Sequence, residues 1–268
     1  MDSGALSIGD AALAGTVAGA GELYVNGQGS LTLDPGVAIT AATFDLGVDA
    51  GEGAAATLDT GLTYAGDFIL AHAGAIGASL LLNADSLRLA GVAALDGSAI
   101  GPGTVTIGGT ADLNGFALSG SALLLDAGTV TQDGAVTLGT VTSDTSGLQI
   151  DAGATYDILA DVNILAGGGA TIDNAGLLLK SGVSGASTIA ADVDSTGTIL
   201  VRRGTLALAG SADTLGGTLT GAGDIIVNAA GGATLASGIV LNVARLGLFG
   251  GGTIALGGNA TYAGAFTL

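Results

Sequence analysis

The feature that most constrains this chain is a run of short alternating segments that never lengthen. Glu22-Leu23-Tyr24-Val25-Asn26, Ser30-Leu31-Thr32-Leu33-Asp34, Thr104-Val105-Thr106-Ile107-Gly108 and Thr205-Leu206-Ala207-Leu208-Ala209-Gly210 are typical. Each places an aliphatic residue at every second position and ends in Gly, Asp, Asn or Ser. Period-two alternation reads as a strand with one buried face. The glycines between segments supply the positive φ that tight corners need. No segment sustains a capped 3.6-residue stripe, so almost no helix is expected. Composition limits how these strands bury themselves. Apolar residues are 49% of the chain, but aromatics are only 3% and Trp is absent, while Gly is 51 of 268. Such a core is built from Ala, Val, Leu and Ile, which suits thin stacked layers.

Many short strands fit a sandwich, a barrel or a solenoid, and internal repetition discriminates among them. Gly15-Thr16-Val17-Ala18-Gly19-Ala20-Gly21-Glu22-Leu23-Tyr24-Val25-Asn26 matches Gly217-Thr218-Leu219-Thr220-Gly221-Ala222-Gly223-Asp224-Ile225-Ile226-Val227-Asn228. Thr63-Tyr64-Ala65-Gly66-Asp67-Phe68-Ile69-Leu70 matches Thr261-Tyr262-Ala263-Gly264-Ala265-Phe266-Thr267-Leu268. Segments 15–70 and 217–268 are therefore related. Beneath this long repeat runs a short one of about 20 to 26 residues, the size of one solenoid coil. The expectation is one all-β domain over 1–268: a parallel β-helix (β-solenoid) of about a dozen coils, a fragment of a longer array.

Charge is sparse and one-sided. Five basic residues oppose 23 acidic ones, giving a net charge of −18. That balance disfavours nucleic acid and anionic lipid as partners. With no cysteine, neither a disulfide framework nor a thiolate metal site is available. The apolar stretch from Phe68 to Leu82 is broken by His72, Gly74 and Gly77, so no membrane insertion by this segment is expected. No basic or continuously apolar leader opens the chain, and Met1 reads as a start placed ahead of an internal segment.

Chemistry-bearing residues are few. His72 is the sole histidine, so a three-histidine zinc site is excluded. Asp192 and Asp194, two apart in a strand, would face one side and are the candidate carboxylate pair for a carbohydrate-active enzyme. Asp45, Asp49 and Glu52 are the candidate calcium ligands, hard oxygens close in sequence. Arg202-Arg203 interrupts the acidic surface, as a contact patch or as a gatekeeper against edge pairing. No catalytic or cofactor-binding residue is assigned. The reading is of a non-enzyme with no cofactor beyond a possible structural Ca2+.

From Ile172 to Leu235 the chain runs Asp173-Asn174-Ala175-Gly176, a strand, Ser181-Gly182, then Ser195-Thr196-Gly197-Thr198, a strand, and Gly204-Thr205-Leu206-Ala207-Leu208-Ala209-Gly210. This pattern resembles the repeats of autotransporter passengers and filamentous-haemagglutinin-type adhesins of Gram-negative bacteria. Gly252-Thr253-Ile254-Ala255-Leu256-Gly257-Gly258-Asn259-Ala260-Thr261-Tyr262-Ala263-Gly264 is similar to the passenger-associated repeat. The resemblance implies a right-handed parallel β-helix displayed outside the outer membrane, with no catalytic residues. The expected function is a structural or adhesive segment of a large secreted cell-surface protein, a rigid stalk or adhesin shaft. The alternatives are a self-associating surface filament or layer, and a carbohydrate-active β-helix enzyme. Expected partners are a ligand on a host or neighbouring cell, and a second copy bound end to end.

Overall fold

A computed structural model describes residues 4–25, 30–46, 55–58, 60–70, 81–84, 86–228, 232–249 and 253–268. Among these the chain is all β, with 33 strands and no helix. Every recorded strand pairing is parallel. With three strands to a turn, the chain makes a β-solenoid of about 11 coils.

One central coil shows the plan. Thr104–Ile107 lies on face one, Thr110–Leu113 on face two and Ala117–Gly120 on face three. The next coil repeats them as Leu123–Asp126, Thr129–Gln132 and Val136–Leu138. Face one is a separate ten-stranded sheet running from Leu62–Tyr64 to Ile254–Leu256. Faces two and three join where Thr218–Val227 and Val240–Leu248 bend across a corner without a break in the strand.

Period-two alternation becomes columns running along the axis. On face one Leu87, Val105, Leu124, Leu148, Ile172 and Val193 stack in register, all pointing inward and all buried. Each fully buried side chain of this size contributes about 1.5–3 kcal/mol. Neighbouring coils supply most of that burial, so the stability of a coil is chiefly the stability of its stacking. Near the start, Phe44, Tyr64 and Phe68 form an edge-to-face trio with centroids 5.4–6.4 Å apart.

Coil length varies more than the short repeat suggests. Partners in adjacent coils are 17 residues apart at Leu81↔Ser98 and 28 apart at Leu138↔Ala166. Hence the long repeat is not a whole number of turns. Glu22–Val25 lies on face two, paired to Ala5–Ile8, whereas its counterpart Asp224–Val227 lies on face three, paired to Thr205–Leu208. Asp67–Leu70 and Ala265–Thr267 are displaced in the same sense. The local structure is nevertheless kept. The Tyr64 hydroxyl donates to the Ala41 carbonyl at 2.9 Å, and the Tyr262 hydroxyl donates to Val243 at 3.1 Å. The repeated unit is thus a strand–corner–strand piece that occupies two different corners of the coil.

Candidate functional site

The aliphatic columns are interrupted in the middle of the rod. On face one, the column Leu89–Ile107–Asp126–Ile150–Asn174–Ser195–Leu215 holds three polar residues, all buried. On face two, Leu95–Leu113–Gln132–Ile158–Lys180–Val201 holds two more. A polar group in such a column is costly unless it is bonded. Most of these side chains are bonded to the loops that lead out of the same coils.

Three corner loops stand in the middle of the rod: 139–146, 159–163 and 181–185. The first two have buried or half-buried polar anchors, and in the third the Ser181 hydroxyl donates to Asp157 at 2.7 Å. The Asp144 carboxylate accepts the Thr140 N–H at 2.8 Å, the Val141 N–H at 3.2 Å and the Thr140 hydroxyl at 3.3 Å. These bonds, the Thr140 amide first, hold its pKa below the ordinary carboxylate value. The loop then lies against Gly168, whose φ of +40° suits glycine and whose missing Cβ would stand 2.7 Å from the Asp144 carbonyl oxygen.

Gln132 donates through Nε2 to the carbonyls of Gly134, at 2.9 Å, and Asn163, at 3.0 Å. Its Oε1 accepts the hydroxyl of buried Tyr156 at 3.0 Å. Burial, and then the Asp126 charge, raise the pKa of that hydroxyl. The Lys180 ammonium, fully buried, donates to Asp161 Oδ1 at 3.0 Å, to Ser187 Oγ at 3.1 Å and to the Ala160 carbonyl at 3.4 Å. All three of its protons therefore have partners. The nearness of Lys180 to Ser187 resembles a nucleophile–base pair, but both side chains lie inside the coil, where no substrate reaches them. Their chemistry is to fix the Ala160–Asp161 turn.

What these anchors hold outward is apolar. Val141, Leu159, Leu165 and Val183 are all exposed. Leu165 points outward from the face-three strand Ile164–Ala166, while Leu159 and Val183 stand on the loops entering that face and Val141 on a loop leaving it. Asp157, which accepts the Ser181 hydroxyl at 2.7 Å, and Asp161, paired with Lys180, flank Leu159 along the chain. Large apolar groups on anchored loops, with an acidic rim, have the chemistry of a surface that can take a partner.

Two further carboxylates sit inside the coils. Asp126 Oδ1 accepts the Gly128 N–H at 3.0 Å and Asp213 Oδ1 accepts the Val193 N–H at 2.9 Å, while Oδ2 of each is buried with no partner. Burial pushes both up to about 6, against the pull of those amides, with Asp151 and Asp192 adding repulsion respectively.

The residues expected from sequence are scattered. Asp192 and Asp194 do fall on one side of face one, but the Asp192 carboxylate is engaged by the N–H groups of Ser211 and Ala212 and the Ser211 hydroxyl. Asp194 is exposed and stands in register with Asp173, whose pKa is raised by burial and by that neighbour. Of the calcium candidates, Asp45 ends the strand Ala38–Asp45, half-buried, and Asp49 and Glu52 lie outside the described residues, as does His72. Among the described residues no group of three His, Asp or Glu could hold a metal ion. Arg202 and Arg203 are exposed at the corner between faces two and three. No helix among the described residues is long and apolar enough to cross a membrane.

The loop anchors were not among the residues singled out in the sequence, although a signal for them exists. Asp126, Gln132 and Lys180 each lie two residues after an inward aliphatic, namely Leu124, Val130 and Leu178, and parity alone turns them inward. Comparison with family models, curated proteins and solved structures finds no match.

Proposed function

We propose that the chain is a structural and adhesive segment of a large secreted bacterial surface protein: a rigid shaft with the 139–185 shoulder as its contact surface. The observation that carries this reading is the set of parallel ladders on faces two and three that run from Ala5 to Thr267. A rod held by coil-on-coil stacking resists bending along its whole length. Its acidic surface keeps it soluble and unattached except where apolar groups emerge. The resemblance to autotransporter and haemagglutinin repeats supports display outside the Gram-negative outer membrane. The partner class is a ligand on a host or neighbouring cell whose apolar knob is flanked by basic residues, to complement the acidic rim. The reading assigns no enzyme activity and no cofactor.

The test has two arms. Protease and antibody accessibility on intact producing cells should place residues 1–268 outside. Fluorescently labelled chain should bind cells, and Val141→Asp with Val183→Asp should reduce that binding at least about tenfold. Protection from external protease on intact cells would overturn the surface reading. Binding unchanged by the two substitutions would overturn the shoulder.

A further inference from the structure

Lys180 and Asp161 meet in a setting unlike that of a surface ion pair. The Lys180 side chain is fully buried, with Nζ 3.0 Å from Asp161 Oδ1, while the Asp161 side chain is 37% exposed. The neighbours of Lys180 in its column are Ile158 and Val201. An ammonium kept in such a place loses hydration that one carboxylate barely restores, and an aliphatic residue of the same volume would pack there at no such cost. What the lysine adds is a nitrogen held against a carboxyl carbon.

The two groups come from successive coils. Asp161 stands on the 159–163 loop that leaves face two, and Lys180 ends Leu177–Lys180, the face-two strand of the next coil. The Asp161 carboxyl lies over the backbone of Gly185, where a Cβ would stand 2.5 Å from Asp161 Cγ. Any larger residue at 185 would push it away. On its other sides the Lys180 ammonium is held by Ser187 Oγ at 3.1 Å and the Ala160 carbonyl at 3.4 Å. The Ser187 hydroxyl is itself fixed, donating to the same carbonyl at 3.3 Å. Groups held about 3–3.5 Å apart in this way react as if at effective concentrations of about 10⁵–10⁸ M.

We propose that Lys180 and Asp161 condense into an intramolecular isopeptide bond. One proton passes from Nζ to Oδ1 along their hydrogen bond, leaving an amine and a carboxylic acid, the neutral forms that a dry site favours. The amine lone pair attacks Cγ and forms the Nζ–Cγ bond. A second proton moves from nitrogen to the same oxygen, the Cγ–Oδ1 bond breaks, and one water leaves by the open side of Asp161. The third proton stays on the amide nitrogen, beside the Ser187 and Ala160 oxygens that can accept it. Both charges vanish together, and with them the cost of a buried ammonium.

The bond ties two successive coils at the corner between faces two and three and closes a ring from 161 to 180. This chain has no cysteine, so no disulfide can make such a tie. A solenoid pulled along its axis unravels coil by coil, since each coil is held by its neighbours. The tie halts that unravelling beneath Leu159 and Val183, on the two loops that flank it. The proposal rests on the solenoid and not on cell-surface location.

The test is the mass of the 268-residue chain, purified folded and then denatured, followed by tryptic digestion. The wild type should weigh one water less than its sequence. Trypsin cuts after Arg88 and Arg202 but not after an acylated Lys180, so residues 89–202 should be recovered as one peptide. Its fragmentation should give no backbone products between 161 and 180. Asp161→Ala should show its full sequence mass and be cut after Lys180. Cyclisation at Asp96-Gly97 or Asp133-Gly134 also expels water, but leaves Lys180 open to trypsin. Wild-type chain at full sequence mass would overturn the bond and leave the shaft reading standing. So would a missing water accompanied by cleavage after Lys180.

Discussion

Raising the pH should loosen this solenoid, through two carboxylates that its core holds out of water. Asp126 and Asp213 are buried in aliphatic columns, and each has one carboxylate oxygen without a partner. Burial lifts both from the ordinary 3.8 to about 6. The folded chain therefore binds protons more tightly than the unfolded chain between about pH 4 and pH 6. Stability is full below that window, falls as pH rises through it, and is level above it. A shift of about 2 units corresponds to a ceiling of about 3 kcal/mol for each group. General repulsion in an acidic chain has the same sign, so the pH profile of the wild type alone does not isolate the two residues. Asp126→Asn and Asp213→Asn do, because the amide has the same shape and does not ionise. Asp144 acts oppositely, with its lowered pKa, but its contribution is lost only below the window. The assay is the guanidinium midpoint by circular dichroism at pH 4.5, 6 and 8. The double variant should lose most of the wild-type decline and be the more stable protein at pH 8. The reasoning is refuted if wild type and double variant decline in parallel.

Two substitutions probe the shoulder. Gly168→Ala places a Cβ against the 139–146 loop at a left-handed φ, and should cost about 2–3 kcal/mol in thermal unfolding. Gly153→Ala, at φ +90° with open space around it, should cost about 1 kcal/mol, so equal losses would refute the packing argument. Lys180→Met fills the same volume without the three donated bonds, and should speed amide exchange at Ala160–Asn163 at least about fivefold while costing about 1–2 kcal/mol.

How far the sequence could be read follows from what stacking requires. Leu23, Val105, Leu124 and Ile172 announce their strands because a parallel ladder keeps period two wherever it runs. The matched segments 15–26 and 217–228 each form a strand with a register shift at its middle, but which face each occupies depends on summing coil lengths, and those vary. The loop anchors were harder to see. Lys180 looks like any surface lysine until Ala160, Asp161 and Ser187 from neighbouring coils are placed around it. Asp192, one of the candidate carboxylate pair, accepts the amides of Ser211 and Ala212 at a corner that only the fold brings to it.

The sequence by itself determined an all-β chain with an aliphatic interior and corners at glycine, because alternation and backbone freedom are local properties. Tertiary structure alone decided which polar residues turn inward and which aliphatic residues of the 139–185 loops stand outward. Those depend on what lies one coil, about 20 residues, away, and burial in a solenoid is conferred by the neighbouring coil.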